Sequence, residues 1–183
     1  MHKTIWYVSI AVVLAMRLES GTVWAQLPEG SKAPTFTIKT LDGKTFDLKP
    51  LISPGKQQKS AVVLSFWAPL CPPCRSEAPH LQKLYEDYNR KGIAFVGIAT
   101  GADGLSRVQR FVTDYKLAYT VGWDPDETKA ALKYRFTSIP ALFIIDSKGV
   151  IRRTYSGYYP GMEKKIAKKL DHILAEQAKS KAT

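Results

Sequence analysis

The only two cysteines of the chain, Cys71 and Cys74, are separated by Pro72 and Pro73. A thiol acts as nucleophile or metal ligand in its thiolate form. A pair at this spacing therefore has two chemistries open to it, disulfide exchange or metal binding. A purely structural crosslink suits it poorly, because the loop it would close is very small and loop-closure stabilisation grows with loop length. Metal binding is also disfavoured, since structural zinc usually takes four protein ligands. There is no second cysteine pair, and beyond the N-terminal leader only His80 and His172 remain. His80 reads as an ordinary helix residue. The expectation is redox chemistry with no metal and no cofactor.

The elements around the pair must hold one sulfur outward and the other inward. Residues 60–67 (SAVVLSFW) form a β-branched and aromatic run that fits a strand buried on both faces. Residues 72–90 read as a helix, with Leu81, Leu84, Tyr85 and Tyr88 on one stripe, a kink at Pro79 and a stop at Gly92. Cys71 then lies just before a helix start, where unpaired N–H groups and the dipole favour an anion. Cys74 lies one turn inside, shielded and close enough to bond to Cys71. Disulfide exchange needs that asymmetry: an exposed thiolate attacks, and a second thiol resolves the mixed disulfide. The two prolines remove two N–H donors from the helix start, which works against the thiolate. Glu77 follows Cys74 by three residues and shares its helix face.

The rest of the chain reads as alternating strands and helices. Residues 34–48 form two short strands around Leu41-Asp42-Gly43, a hairpin signal. Strands follow at 93–99 and 119–122, and helices at 105–116 and 126–134. Asp126 and Glu127 fall in the first turn of the latter, complementing its dipole. Residues 141–146 and 150–155 flank Ser147-Lys148-Gly149 as a hairpin. An amphipathic helix over 161–177 carries Met162, Ile166, Leu170, Ile173 and Leu174 as its apolar stripe. This order implies a sheet with helices on both faces. The net charge of +11 comes from lysines and arginines spread along the chain without a nucleic-acid motif, and reads as solvated faces.

Residues 1–25 resemble an export signal: a short positive start, an apolar run from Ile5 to Met16, and Val23-Trp24-Ala25 before a cut at Gln26. The apolar run is shorter than the ~20 residues a spanning helix needs, and an uncleaved anchor is the alternative. Loss of Lys3, Arg17 and Glu19 with the leader removes one net positive charge and leaves +10. The expected organisation is a leader at 1–25, a domain at 26–178 and a disordered tail at 179–183.

The segment from Phe66 to Pro79 (FWAPLCPPCRSEAP) resembles the active site of thioredoxin-like proteins, and most closely the TlpA/ResA/CcmG branch of exported thiol–disulfide oxidoreductases. The opening Gly30-Ser31-Lys32-Ala33-Pro34-Thr35-Phe36 and the run from Ser138 to Asp146 extend the likeness over nearly all of the mature chain. The resemblance implies an α/β, thioredoxin-like fold: a central mixed sheet with helices on both faces, an N-terminal β-hairpin and an extra strand–helix insertion within 93–122. It makes Cys71 the attacking and Cys74 the resolving cysteine, and Glu77 an acid beside them. It makes Pro140 a cis-proline facing the dithiol, with Ile139 offering backbone groups to a substrate. Trp67 is core or active-site wall, counted with Ile139 and Pro140 as substrate-binding.

Two departures stand out. Leu70 replaces the usual tryptophan before the first cysteine, and Ser65 stands where cytoplasmic thioredoxins bury an aspartate. The resemblance implies protein disulfides as substrates, a membrane protein as electron donor, a periplasmic or otherwise exported setting, and cytochrome c maturation as the process served. A disulfide oxidase and a copper chaperone of the same fold are the alternatives. Residues 100–160 lack the histidine a chaperone would want, and the peroxidatic Pro-x-x-x-Thr-x-x-Cys pattern is absent. The missing N–H donors and Glu77 both disfavour a thiolate, so a reduction potential below roughly −200 mV is expected.

Overall fold

A computed structural model describes residues 26–182. The leader and the proposed cut at Gln26 concern residues 1–25, outside the described residues. Strands β1 (Thr37–Lys39) and β2 (Thr45–Asp47) pair antiparallel as the expected N-terminal hairpin. The remaining elements are β3 (Ala61–Trp67), α1 (Pro72–Tyr88), β4 (Ile93–Thr100), α2 (Leu105–Asp114) and β5 (Thr120–Asp124). They are followed by α3 (Ala131–Tyr134), β6 (Ala141–Asp146), β7 (Ile151–Ser156) and α4 (Met162–Ala182).

The five-stranded sheet has the order β5-β4-β3-β6-β7. The strands β5, β4 and β3 run parallel, and β6 and β7 are antiparallel additions, so the sheet is mixed. Central β3 is buried along its whole length. Its side chains alternate between two cores. Val62, Leu64 and Phe66 face the core formed with the hairpin and α3. Ala61, Val63 and Trp67 face the core formed with α1, α2 and α4. Ser65 lies in the same alternation as Trp67, on the α1 side. The hairpin reaches the sheet edge through a bridge between Thr40 and Gly122. A Cβ at Gly122 would come within 2.8 Å of Ile38, so only glycine allows this close seating.

Three boundaries differ from expectation. The helix expected over 126–134 is only α3, because Glu127 adopts a left-handed backbone with φ of 56°. Its N-terminus is capped from outside, by Asp124 rather than by first-turn acids. The Asp124 carboxylate accepts the N–H groups of Lys129, Ala130 and Ala131 at 3.2, 2.8 and 3.1 Å. The helix expected to reach residue 116 ends at Asp114, since Lys116 has φ of 51°. Conversely, α4 extends through residues 179–182, which the sequence suggested as a disordered tail. Alanine and lysine there are good helix formers, and Gln177 Nε2 donates to Ser60 O and Ser147 Oγ, tying the last turns to the sheet. No described helix is long and apolar enough to cross a membrane.

Candidate active site

The chain leaves the carboxyl end of β3 through Ala68, Pro69 and Leu70 and enters α1 at Cys71. Cys71 is the N-cap, with extended backbone angles, and is partly exposed. Cys74 is 1% exposed. The two are joined as a disulfide with Cα atoms 5.2 Å apart. Pro72 and Pro73 occupy the first two helical positions and carry no N–H. The first donor left to the helix start is the Cys74 N–H, and it points at Cys71 Sγ from 3.2 Å. The double proline thus removes two donors but leaves one aimed at the attacking position.

Cys71 Sγ also lies 3.7 Å from the carbonyl oxygen of Ile139. The Ile139–Pro140 peptide bond is cis, with Pro140 buried and Ile139 partly exposed beside the sulfurs. Antiparallel pairing of β6 with β3 brings this loop to the active-site end of the sheet, because Ala141 is the register partner of Phe66.

Behind the disulfide lies Glu77, 2% exposed. Its Oε2 accepts from Ser65 Oγ at 3.1 Å, and its Oε1 has no partner among the described residues. Burial pushes its carboxyl up to about 8, and the Ser65 hydrogen bond partly offsets that rise. Ser65, which stands where cytoplasmic thioredoxins bury an aspartate, is the hydroxyl that holds Glu77. The signal was alternation along β3, which puts position 65 on the face that α1 covers.

Of the two places expected for Trp67, core or active-site wall, it takes the core: it is 2% exposed and stacks on Phe111 with ring centroids 4.3 Å apart. Its Nε1 packs over Gly97, where a Cβ would stand 2.7 Å away. By contrast Leu70 is 58% exposed at the lip of the site. It borders a groove that includes Arg75, Arg107 and Arg110. The sequence did not reveal this groove, because the arginines come from two helices far apart in the chain.

Among the described residues, no group of three or more His, Cys, Asp or Glu side chains is placed to hold a metal ion. The arrangement is a partly exposed sulfur, a shielded one, a buried proton-bearing carboxyl and a free backbone edge. It is chemically suited to exchanging a disulfide with a second molecule.

Comparison with known proteins agrees with this site. Residues 30–154 match the AhpC/TSA family. The chain is 33% identical over 146 residues to the thioredoxin-like protein YneN of Bacillus subtilis, covering 79% of this chain and 80% of YneN. It is 28% identical over 149 residues to the thiol-disulfide oxidoreductase ResA of Halalkalibacterium halodurans, covering 81% and 78%. A crystal structure of a thiol:disulfide interchange protein of the thioredoxin family from Chlorobium tepidum superposes with a TM-score of 0.65 at 26% identity. It covers 82% of this chain and 99% of that one. With its thioredoxin-like sheet and its Cys71–Cys74 disulfide at the head of α1, the chain belongs to the AhpC/TSA family, as a ResA-like thiol–disulfide oxidoreductase.

Proposed function

We propose that this protein reduces disulfides of other proteins outside the cytoplasm, with Cys71 attacking, Cys74 resolving and Glu77 handling the proton. The observation that carries the reading is the asymmetry of the pair, one sulfur partly open and the other buried, with buried Glu77 three residues further along the same helix. In the reduced protein the Cys71 thiolate attacks one sulfur of the substrate disulfide. The S–S bond breaks, and the first substrate thiolate leaves and takes a proton from water. Cys74 passes its proton to the Glu77 carboxylate and attacks Cys71 Sγ, and the second substrate sulfur leaves as a thiolate that takes its proton from water. The substrate gains two electrons and two protons, and the Cys71–Cys74 disulfide forms. Raised to about 8 by burial, Glu77 lies close enough to neutral pH to exist in both forms, the minor ionised form taking the proton and the neutral form remaining once the disulfide has formed.

Ile139 and Pro140 supply the docking edge. Among the described residues nothing bonds the Ile139 N–H, so its backbone is open to an extended substrate segment. Regeneration falls to a dithiol donor, for which the resemblance suggests a membrane protein, with cytochrome c maturation as the setting. Residues 1–25 provide export or anchoring. The Cys74 N–H on Cys71 Sγ favours the thiolate and supports the oxidase reading to that extent, but it stands alone where an unblocked helix start would offer three donors.

The test has two parts. Cys71→Ser abolishes insulin-disulfide reduction and Cys74→Ser accumulates mixed disulfides; normal turnover by Cys71→Ser overturns the mechanism. Equilibration with glutathione gives a potential below roughly −200 mV, whereas a value near about −120 mV makes the protein an oxidase.

A further inference from the structure

A groove of about 350 Å³ opens beside Leu70, the residue that precedes the attacking cysteine in the chain. Arg75 reaches it from the first turns of α1, and Arg107 and Arg110 reach it from one face of α2. The helix α2 is held there by Phe111, which stacks on buried Trp67. All three arginines are exposed. None of them takes part in a salt bridge among the described residues. Arg75 Nε donates to Tyr115 Oη at 3.3 Å, which steadies its guanidinium without neutralising it. Two arginines elsewhere are treated differently: Arg152 is clamped between Asp146 and Glu176, and Arg153 meets Glu29. The only acid in the groove lining is Asp114, leaving two charges unbalanced. The neighbouring rim segments 68–76, 135–140 and 157–161 contain no Asp or Glu at all.

We propose that this groove selects substrates, and that the preferred partner is a protein segment with carboxylates close to its reactive cysteine. The inference rests on the reductase reading of Cys71. Guanidinium groups bind carboxylates through planar, paired N–H donors. Leu70 adds an apolar contact between the sulfur and the charges, where the family's tryptophan would have presented a flat ring. Arg75 follows Cys71 by four residues, about 6 Å along a helix. An extended segment advances about 3.3 Å per residue, so its carboxylates fall two to three residues from the cysteine. Attraction of this kind raises the encounter rate and weakens with salt. It acts on docking and leaves the chemistry at sulfur alone.

The test uses the reduced full chain and three fluorescence-quenched peptide disulfides of one length, whose cysteine is flanked by paired Glu, paired Gln or paired Lys. Each is made with the flank on either side. The expected order is Glu over Gln over Lys, with about tenfold between Glu and Gln at low ionic strength, shrinking as salt rises. The difference appears in KM rather than kcat. In the double variant Arg107→Glu, Arg110→Glu the order inverts, and circular dichroism with thermal melting reports on its folding. Single Arg110→Gln, a milder change, halves or further reduces the preference. Equal rates on all three peptides, or a preference that survives the double variant, overturns the groove and leaves the reductase reading standing. Failure of the reduced wild type to reduce any of the peptides overturns both.

Discussion

Two buried acids on opposite sides of the sheet meet opposite fates. Asp124, at the end of β5, is 1% exposed and its carboxylate accepts three backbone N–H groups. Glu77, in α1, is 2% exposed and receives one serine hydroxyl, with Oε1 left open. A buried carboxylate with several N–H donors has its oxygens satisfied and acts as a peg. A buried carboxyl with one weak partner is more stable with its proton on. The fold thus uses the same chemical group as a cap in one place and as a proton store beside the dithiol in the other.

The largest effect that separates them is on stability. Asp124→Ala strips three N–H groups of their acceptor, two of them buried, and is expected to destabilise the fold by about 2 kcal/mol or more. Chemical denaturation measures it, and the pH profile of disulfide exchange keeps its shape. If the exchange profile shifts instead, the two acids are not separable.

Glu77→Gln is expected to act in the opposite direction. The unfolded chain releases this proton near 4.5 and the folded chain near 8. Between those values the folded state holds more protons, so rising pH favours unfolding. The wild type therefore loses about 3 kcal/mol relative to Glu77→Gln between pH 4.5 and pH 7. The same variant slows exchange and flattens its pH dependence on the alkaline side. Parallel stability curves for the two proteins across that window would return Glu77 to a plain dipole-complementing role.

Two smaller changes probe the chamber around Glu77. Gly97→Ala places a methyl 2.7 Å from Trp67 Nε1 and 3.1 Å from Tyr119. The indole must move, at a cost of about 2 kcal/mol, seen as a lower melting temperature and a changed tryptophan fluorescence. Ser65→Ala removes the one hydrogen bond to Glu77 and costs about 1 kcal/mol. Its Glu77 carboxyl titrates higher than in the wild type, which the pH dependence of exchange reads directly.

The sequence alone determined the dithiol, its place between a buried strand and a helix, and the alternation that made β3 the centre of the sheet. These follow from local rules: the side-chain period of strands and helices, and the demands of proline and glycine on the backbone. Element ends were less legible. The left-handed Glu127 and Lys116 go with hydrogen bonds that Asp124 and Val112 accept from N–H groups a few residues further on, and the last turns of α4 depend on Gln177 reaching Ser60 and Ser147. Only the tertiary structure decided that Ser65 would hold Glu77, that Trp67 would be core rather than active-site wall, and that Arg75, Arg107 and Arg110 would converge. Each of those outcomes is a meeting of residues from different elements. Burial and proximity across elements set the energy of a carboxyl or a guanidinium, and no spacing along the chain encodes them.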